Sequence, residues 1–271
     1  MKYTRIMAVL ATMVLASCGG EEKKEDAKKD GVVLMFNPEA GKTYEMVYTN
    51  KTTIDSVTDN TFFTVEMVNK VTDVKNEKIY IESYCENAKL DAIVEGKPVQ
   101  VDASNTAGTD NNVLLVAGRY FVYYHQTALF EYDKQGRKLS EQFKNADTIP
   151  ALQEAGARIQ LLGRYTTNAL NVGDNWETEL EIKIGDKKID NAVFTVKEIN
   201  EKEVLLDIKG YIDGKGVQYG KDFTMRGSFT GEMTVDRKTG WQNNTAFHLQ
   251  YVREMEGNKM TIHQEVTYKL K

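Results

Sequence analysis

Apolar and polar residues alternate along most of the second half of the chain, and this pattern constrains the fold more than any other feature. One run carries its apolar residues at odd positions: Phe223, Met225, Phe229, Met233 and Val235. Such spacing is typical of a strand with one buried and one solvated face, because successive side chains point to opposite sides. The same rule describes residues 176–184, 241–255 and 260–270. The sequence therefore predicts a mainly β, antiparallel fold with long strands.

The last two of these runs are separated by a short polar loop that predicts their pairing. A two-residue turn at Gly257-Asn258 places Met255 opposite Met260 and Leu249 opposite Val266. Gly-Asn pairs are typical of tight hairpins. Both strands then bury the same face, as a consistent register requires.

The strand before this hairpin contains two glycines on its apolar face. The loop 236–240 predicts a hairpin in which Phe229 lies opposite Phe247. Gly227 and Gly231 interrupt the inner positions of the first of these strands. Glycine at such positions is typical of a sharply curved sheet.

The first half of the chain is less regular but predicts further strands at 44–54, 61–74, 78–85, 89–94, 113–124 and 128–133. One segment, 145–162, has apolar residues at three- and four-residue steps instead, from Ile149 to Leu162. This spacing predicts a helix. Its place between the halves indicates a connector or a lid over one end of the sheets.

Short sequence matches recur between the two halves in the same order. They join 41–44 with 173–176, 63–65 with 194–196, 76–78 with 200–202, and 132–136 with 235–240. The matches predict an ancient duplication and two tandem, pseudo-repeated curved sheets, each a half-barrel, barrel or sandwich. The predicted organisation is a first β repeat at 33–143, a helical connector at 144–169 and a second β repeat at 170–271.

The N-terminus has a different pattern. Lys2 and Arg5 precede an apolar run of about 10 residues, shorter than the roughly 20 residues that span a bilayer as a helix. The run ends in Leu15-Ala16-Ser17-Cys18, which resembles the lipobox of bacterial lipoproteins. The resemblance implies a signal peptide at 1–17 and acylation of Cys18, including palmitate. The alternative is an ordinary secretory signal with an incidental cysteine.

The residues after Cys18 predict a flexible, lipidated tether at 18–32, because 19–30 holds no apolar residue larger than alanine. Gly19 stands where an aspartate would retain an enteric lipoprotein at the inner membrane, so the resemblance implies the outer membrane. The acidic residues that follow resemble the surface-export signals of Bacteroidota lipoproteins. A periplasm-facing and a cell-surface position both remain open.

Charge and cysteine content exclude several classes of function. Removal of 1–17 takes the formal net charge from -5 to -7, and an acidic chain without a basic run predicts no nucleic-acid partner. Cys85 is then the one thiol besides Cys18, in a segment with period-two spacing. We interpret Cys85 as a small buried hydrophobe.

Residues for metal, cofactor or catalytic chemistry form no recognisable site in the sequence. The chain has three histidines, and the predicted register separates His248 and His263 by about 13 Å along the strands. His125 beside Tyr123-Tyr124 is interpreted as a structural residue. The loops 133–136 and 236–240 each supply one carboxylate, so we interpret them as hairpins and not as calcium sites. The prediction is no catalytic residue, no cofactor and no metal.

Two further features of the sequence, its aromatic clusters and two short triplets, suggest a ligand and a modification. Aromatic residues are dense at 120–124 and 130–132, and an aromatic inner face suits a lipid, a lipid-linked glycan or an apolar peptide. The alternative is that these rings fill the core. Ser56 and Thr148 lie in Asp-Ser/Thr-apolar triplets that resemble the O-glycan acceptors of Bacteroidota envelope proteins.

The lipobox, the charged tether, the Gly-x-x-Tyr and Gly-Asp-x-Trp strand starts and the Asp-x-x-x-Gly hairpin together resemble an uncharacterised Bacteroidota lipoprotein family, a domain of unknown function. A remote architectural likeness is to periplasmic lipid-binding lipoproteins. The resemblance implies a non-enzymatic, membrane-anchored envelope lipoprotein that binds an apolar ligand. The alternatives are a structural or accessory lipoprotein that docks to another envelope protein and, third, an enzyme acting on glycan or cell wall.

Overall fold

The computed structural model describes residues 31–55, 60–94, 96–109, 113–114, 117, 121, 124–144, 164–184, 187–218 and 221–271. The described part contains twelve strands: β1 Thr43–Ile54, β2 Asn60–Lys75, β3 Lys78–Val94, β4 Lys97–Asp102, β5 Thr127–Asp133, β6 Lys138–Phe143, β7 Asn175–Ile184, β8 Lys187–Ile199, β9 Glu203–Gln218, β10 Lys221–Asp236, β11 Gln242–Met255 and β12 Asn258–Leu270. Several predicted features lie outside these ranges: the signal peptide 1–17, Cys18, the tether up to residue 30, Ser56 and Thr148.

All twelve strands belong to one antiparallel sheet, which confirms the predicted mainly β fold. The strand order is β6-β5-β3-β2-β1-β12-β11-β10-β9-β8-β7, and β4 pairs with the rest of β3 beside β5. Among the described strands the sheet is not closed, and β6 and β7 are its edges. The two predicted sheets are joined as one because β1 pairs with β12, from Met46 opposite Leu270 to Ile54 opposite Ile262.

The strand order is that of one long meander in which the N-terminal strand β1 and the C-terminal strand β12 lie side by side in the middle of the sheet. From the β7 edge the strands follow one another up to β12, and β1, β2, β3, β5 and β6 continue the series. The connection between β6 and β7 therefore joins opposite edges of the sheet. The predicted helix 145–162 belongs to this connection and lies outside the described residues. No described helix is long and apolar enough to cross a membrane.

In the β11–β12 hairpin the predicted side chains face the interior, but the pairing register of the two strands differs from the prediction. Glu256 and Gly257 form its turn, with φ of 51° and 79°, and Met255 lies opposite Asn258. Positive φ at both central residues is the geometry of a type I′ turn. The predicted turn one residue later was wrong, so Leu249 lies opposite Gln264 instead of Val266. A shift of two residues keeps every side chain on its predicted face.

A bulge changes the preceding hairpin in a similar way. The register of β10 and β11 shifts between Thr234 and Val235, where Val235 pairs with Gln242. The hairpin closes one residue later than predicted, at Val235–Gln242, and the bulge adds a second residue. Phe229 therefore lies opposite Leu249, and the predicted Phe229–Phe247 pair was wrong. The two rings still meet diagonally, with centroids 6.0 Å apart and edge to face.

The segment predicted as a strand at 113–124 is helical at each residue described between 113 and 121. These residues are Val113, Leu114, Ala117 and Phe121. Val113 and Ala117 are buried, at 4% and 0% exposure. The strand prediction was therefore wrong for these described residues.

Two of the four recurring matches occupy places with similar local hydrogen bonds, and a third lies in turns between neighbouring strands. Gly41 N donates to Val71 O, and Gly173 N donates to Val196 O, both at 2.8 Å. Both glycines have positive φ, 83° and 94°. The carboxylates of Asp133 and Asp236 each accept backbone N–H groups within their own hairpin. The turns at Asn76 and Asn200 both join neighbouring antiparallel strands.

The fourth match, 63–65 with 194–196, does not join equivalent positions of the two halves. Phe63 lies opposite Asn50 in the β1–β2 pair, whereas Phe194 lies opposite Trp176 near the start of β7. Because Gly41–Val71 and Gly173–Val196 are the corresponding contacts, Phe63 and Phe194 differ in position by six residues. The duplication itself stays a prediction.

Candidate functional site: the inner face of the curved sheet

One face of the sheet carries nearly all of its buried side chains, and we call it the inner face. It follows the period-two pattern along each long strand. The buried members on β9 to β12 are Val204, Leu206, Ile208, Ile212, Phe223, Met225, Phe229, Met233, Val235, Phe247, Leu249, Tyr251, Ile262, Val266 and Tyr268. The predicted alternation of buried and solvated positions is confirmed there.

Residues 31–41, which we call the strap, lie across one end of the inner face. Phe36 N donates to Lys134 O and Asn37 N donates to Thr239 O, each at 2.7 Å. The strap thus forms backbone hydrogen bonds with both the β5–β6 hairpin and the β10–β11 hairpin. Its inward side chains, Val32, Leu34 and Phe36, are buried. We call this the capped end of the sheet and the opposite one the far end.

The chain returning from β6 to β7 adds a second tie at the capped end. Tyr165 N donates to Gln135 O and its hydroxyl donates to Gly240 O, both at 2.7 Å. Val32 and Leu170 exchange two backbone bonds of 2.8 Å. Tyr165 is buried, and burial raises the pKa of its hydroxyl. The two hairpins are therefore held together by two separate segments.

Aromatic rings fill the space under the strap. Phe36 contacts Tyr132 and Trp241, each with centroids 5.6 Å apart. Trp241 also stacks on Tyr44 at 3.7 Å. The Trp241 indole N–H and the Thr245 hydroxyl are fully buried without a hydrogen-bond partner among the described residues. At this end the inner face is a filled core.

The sheet is strongly curved, as the inner-face glycines predicted. A Cβ on Gly227 would lie 2.1 Å from Gln250 O, and one on Gly231 would lie 2.4 Å from the Phe247 ring. The curvature also brings β5 near β12, although three strands separate them. Burial raises the pKa of Tyr268 well above its ordinary value, and Tyr48 and Tyr132 add to this effect.

A hydrogen-bonded row of polar side chains interrupts the inner face towards the far end. Asn50 Nδ2 donates to Tyr48 Oη at 3.1 Å, and Thr52 Oγ1 donates to Asn50 Oδ1 at 3.1 Å. Across the strand pair, Gln264 Nε2 donates to Thr52 Oγ1 at 3.2 Å. We call these four residues the polar row. They combine side-chain donors and acceptors with an otherwise apolar surface.

Arg253 occupies an inner-face position still closer to the far end. It lies opposite the buried Met225 on β10 and opposite Met260 on β12. Its guanidinium carbon is 4.3 Å from the centre of the Phe223 ring, a cation–π geometry. Arg253 is half-buried. Among the described inner-face positions of β9 to β12, the charged residues are Arg253 and the exposed Lys221 at the start of β10.

Burial along the inner face changes from the capped end to the far end. Trp241, Thr245 and Met233 at the capped end are 0% exposed. The far-end residues Ile54, Gln264, Arg253, Met255 and Met260 are only partly buried. The inner face is thus closed at the capped end, whereas the far end mixes polar and partly exposed side chains with buried apolar ones such as Phe223 and Ile262. Such an arrangement suits a molecule with an apolar body and a polar group.

The predicted structural role of Cys85 agrees with its surroundings. Cys85 is 5% exposed, and burial raises the pKa of its thiol to about 12. Because the thiolate is the reactive form, a thiol with this pKa is inert near neutral pH. Cys18, the predicted lipidation site, lies outside the described residues.

The histidines lie apart from the inner-face residues described above. His263 is opposite Gln250, two residues from His248, so their separation along the strands is about 7 Å and not the predicted 13 Å. His263 Nε2 instead lies 3.3 Å from a carboxylate oxygen of Asp55. His125 bonds the Tyr84 hydroxyl through Nδ1. Across the described ranges, no group of three or more His, Cys, Asp or Glu side chains forms a possible metal site.

Sequence reasoning missed the polar row and Arg253. The positions of Asn50, Thr52 and Gln264 do follow the inner-face period. Because these polar residues interrupt an apolar run, the sequence pattern alone does not identify them as a site. Their contact depends on the pairing of β1 with β12, at separations of up to 212 residues. Arg253 has a clearer signal, because it stands between the apolar positions 251 and 255 of one run.

The comparisons with known proteins concern the domain and its fold. Residues 131–242 match the model of a family of unknown function (DUF6263). The match extends from the end of β5 to the start of β11, so it includes both hairpins that contact the strap. It agrees with the expected domain of unknown function, while a Bacteroidota type and the lipobox stay predictions. No curated protein matches the chain.

Among solved structures, one described as showing lipid–protein interactions in lipovitellin is similar to this chain at 11% identity, with a TM-score of 0.53. The match covers 86% of this chain and 25% of that one. The chain thus spans a quarter of the lipovitellin chain, and the similarity shows a shared sheet fold.

Two further structures match with lower scores. An S-type phycobiliprotein lyase from Guillardia theta has 7% identity and a TM-score of 0.18, over 84% of this chain and 87% of the other. An outer membrane channel from Pseudomonas putida F1 has 7% identity and a TM-score of 0.25, over 87% and 98%.

Proposed function

We propose that this protein is a cell-envelope lipoprotein, anchored through Cys18, whose curved sheet binds an apolar ligand. One observation carries the binding proposal. The inner face runs from a filled, aromatic capped end to a partly exposed far end with the polar row and Arg253. Ligand sites combine an apolar lining with few polar groups in this way. The lipovitellin similarity supports it, because that structure is described as showing lipid–protein interactions.

The binding proposal is tested by native mass spectrometry of the full-length protein, purified gently from its own envelope. We expect an adduct that survives native conditions and is released by organic solvent, because the proposed contacts are non-covalent and mainly apolar. The same sample measured after denaturation is the control, since a covalent modification would remain. A bare mass in several gentle preparations, together with a fully filled inner face in an experimental structure, would contradict the proposal.

The anchoring proposal predicts that growing cells incorporate labelled palmitate into the protein, and that Cys18→Ala abolishes the label. Acyl chains on Cys18 contribute about 0.8 kcal/mol of membrane affinity for each buried CH₂ group, so the variant is also expected in the soluble fraction. Cys85→Ala is the matched control, because it removes the buried thiol and leaves Cys18 intact. Label retained in Cys18→Ala would exclude the lipobox interpretation.

A docking role to another envelope protein has one observation in its favour. The outer side of the strap exposes Val33 and Met35, at 45% and 44%, and Val172 near the Val32–Leu170 contact is 62% exposed. Exposed apolar residues that cluster are a feature of interaction surfaces. This role does not require a ligand on the inner face, so the mass-spectrometric result separates the two.

A further inference from the structure

We propose that the ligand of the inner face carries an uncharged N–H or O–H donor and that Gln264 of the polar row accepts its hydrogen bond. This inference rests on the proposed ligand-binding function and specifies the ligand class: an apolar molecule with an alcohol or an amide group. The observation behind it is a chain of hydrogen bonds that begins at the amide oxygen of Gln264.

The hydrogen bonds of the polar row run in one direction. Thr52 donates its single hydroxyl proton to Asn50 Oδ1, so towards Gln264 the Thr52 oxygen can only accept. Gln264 therefore presents an amide N–H to Thr52, at 3.2 Å. The remaining amide atom, Gln264 Oε1, accepts no hydrogen bond from the described residues. An amide oxygen has two lone pairs, so the row offers an acceptor to a ligand.

The position of Gln264 is set by the sheet and not by a flexible loop. Gln264 lies opposite Thr52 on β1 and opposite Leu249 on β11. Thr52 in turn lies opposite Thr61 on β2. Polar side chains of three neighbouring strands thus lie at one level of the inner face. Rigid elements hold a binding group more precisely than loops do.

The surroundings of the row are apolar. Phe63 and Val266 lie opposite Asn50 on the two neighbouring strands and are 2% and 9% exposed. Ile262, two residues from Gln264 towards the far end, is 6% exposed. Gln264 itself is only partly buried, so a molecule on the inner face can reach its amide. The row is a polar island on an apolar surface.

This arrangement selects a ligand that brings a proton. An apolar molecule that covers the row removes water from Gln264 Oε1, and an acceptor left without a donor costs free energy. An alcohol or an amide restores the bond, whereas an ether or a tertiary amide offers acceptors only. Sites that bind an O–H or N–H group discriminate strongly against analogues without it.

The absence of a counter-charge favours an uncharged donor. The described inner-face positions of β1, β11 and β12 hold no carboxylate. An ammonium group at this level would lose its hydration without forming an ion pair, which is unfavourable in apolar surroundings. The donor that suits Gln264 is therefore a hydroxyl or an amide N–H.

The test measures binding by the full-length chain made by cell-free synthesis without lipid or detergent. Diphenylhexatriene, an apolar fluorophore without hydrogen-bonding groups, is the probe that competitors displace. Dodecanol is compared with its methyl ether, and dodecanamide with its N,N-dimethyl derivative, so each pair shares a chain length and differs in the donor. We expect the donor-bearing member of a pair to bind about 10-fold more tightly, the scale of one buried hydrogen bond.

Gln264→Leu removes the acceptor and keeps an apolar side chain of similar volume. We expect it to weaken the donor-bearing competitor about 10-fold and to leave its methylated analogue unchanged. Gln250→Leu is the matched control, because Gln250 lies opposite His263 and is exposed on the outer face. It is expected to keep the preference. Thermal unfolding of both variants is measured in parallel, and the comparison of competitors on the unmodified chain does not depend on either variant.

The outcomes distinguish this inference from the proposed function. Equal binding within both pairs by the unmodified chain would overturn the donor and leave apolar binding standing. A preference that persists in Gln264→Leu, or equal weakening of both members of a pair, would overturn the role of Gln264. Absence of binding by diphenylhexatriene and by every competitor would overturn both proposals. A preference in only the alcohol pair or only the amide pair identifies the donor group.

Discussion

Gly227→Ala is expected to lower the free energy of unfolding by about 3 kcal/mol or more, the upper range for overpacking a filled interior. The new Cβ would lie 2.1 Å from Gln250 O and 2.5 Å from the Cα of Tyr251. These are backbone atoms of the paired strand, so no side-chain rotation relieves the contact. Chemical denaturation of the variant and the unmodified chain measures the difference.

Gly214→Ala provides the matched control for this prediction. Gly214 also lies on the inner face, on the adjacent strand β9, and a Cβ there meets only Met225 Cε at 3.5 Å. This is an ordinary contact with the end of a flexible side chain. We expect a change below about 1 kcal/mol, and alanine restricts the unfolded chain more than glycine does. Equal losses in the two variants would show that close approach of β10 and β11 is not the reason for Gly227.

Gly240→Ala is expected to be the second strongly destabilising change, by about 3 kcal/mol or more. Gly240 has φ of 66°, and alanine in this region costs about 1–2 kcal/mol. Its Cβ would also lie 2.1 Å from Met35 O and 2.9 Å from the Phe36 Cα. The strap has to move away from the β10–β11 hairpin, which exposes Phe36 and Trp241. Denaturation and limited proteolysis at the strap measure the effect.

Gly257→Ala separates the two contributions at Gly240. Gly257 lies in the β11–β12 turn with φ of 79°, and nothing lies within 4 Å of its Cβ position. This variant has the conformational cost alone, about 1–2 kcal/mol. If Gly240→Ala costs no more than Gly257→Ala and leaves the strap protected from protease, then the strap does not pack on Gly240 as described.

Side-chain alternation was sufficient to predict which residues of β10, β11 and β12 face the interior. It did so because the period of two is a local property of an extended backbone. The exact pairing was two residues off in both hairpins. In the β10–β11 pair, closure of the hairpin at Val235–Gln242 accounts for one residue of the error and the bulge between Thr234 and Val235 for the second. In the β11–β12 pair the cause is the turn with positive φ at Glu256. Such features depend on hydrogen bonds between strands that alternation does not encode.

The helical residues between 113 and 121 show the limit of composition as a guide. Val113, Ala117 and Phe121 lie four residues apart, and the aromatic density of the segment favoured a strand. A short apolar run is compatible with either element, and the decision depends on which surface is present to bury it.

By itself the sequence determined the mainly β, antiparallel class, the inner face of each long strand and the glycines that allow sharp curvature. These properties follow from local backbone geometry and from which side chains avoid water. Only the tertiary structure decided that both halves form one open sheet, that the strap caps one end, and that Asn50, Thr52 and Gln264 meet on the inner face. The physical reason is that the pairing of β1 with β12 joins the two ends of the described chain, and no local pattern specifies a contact over such a separation.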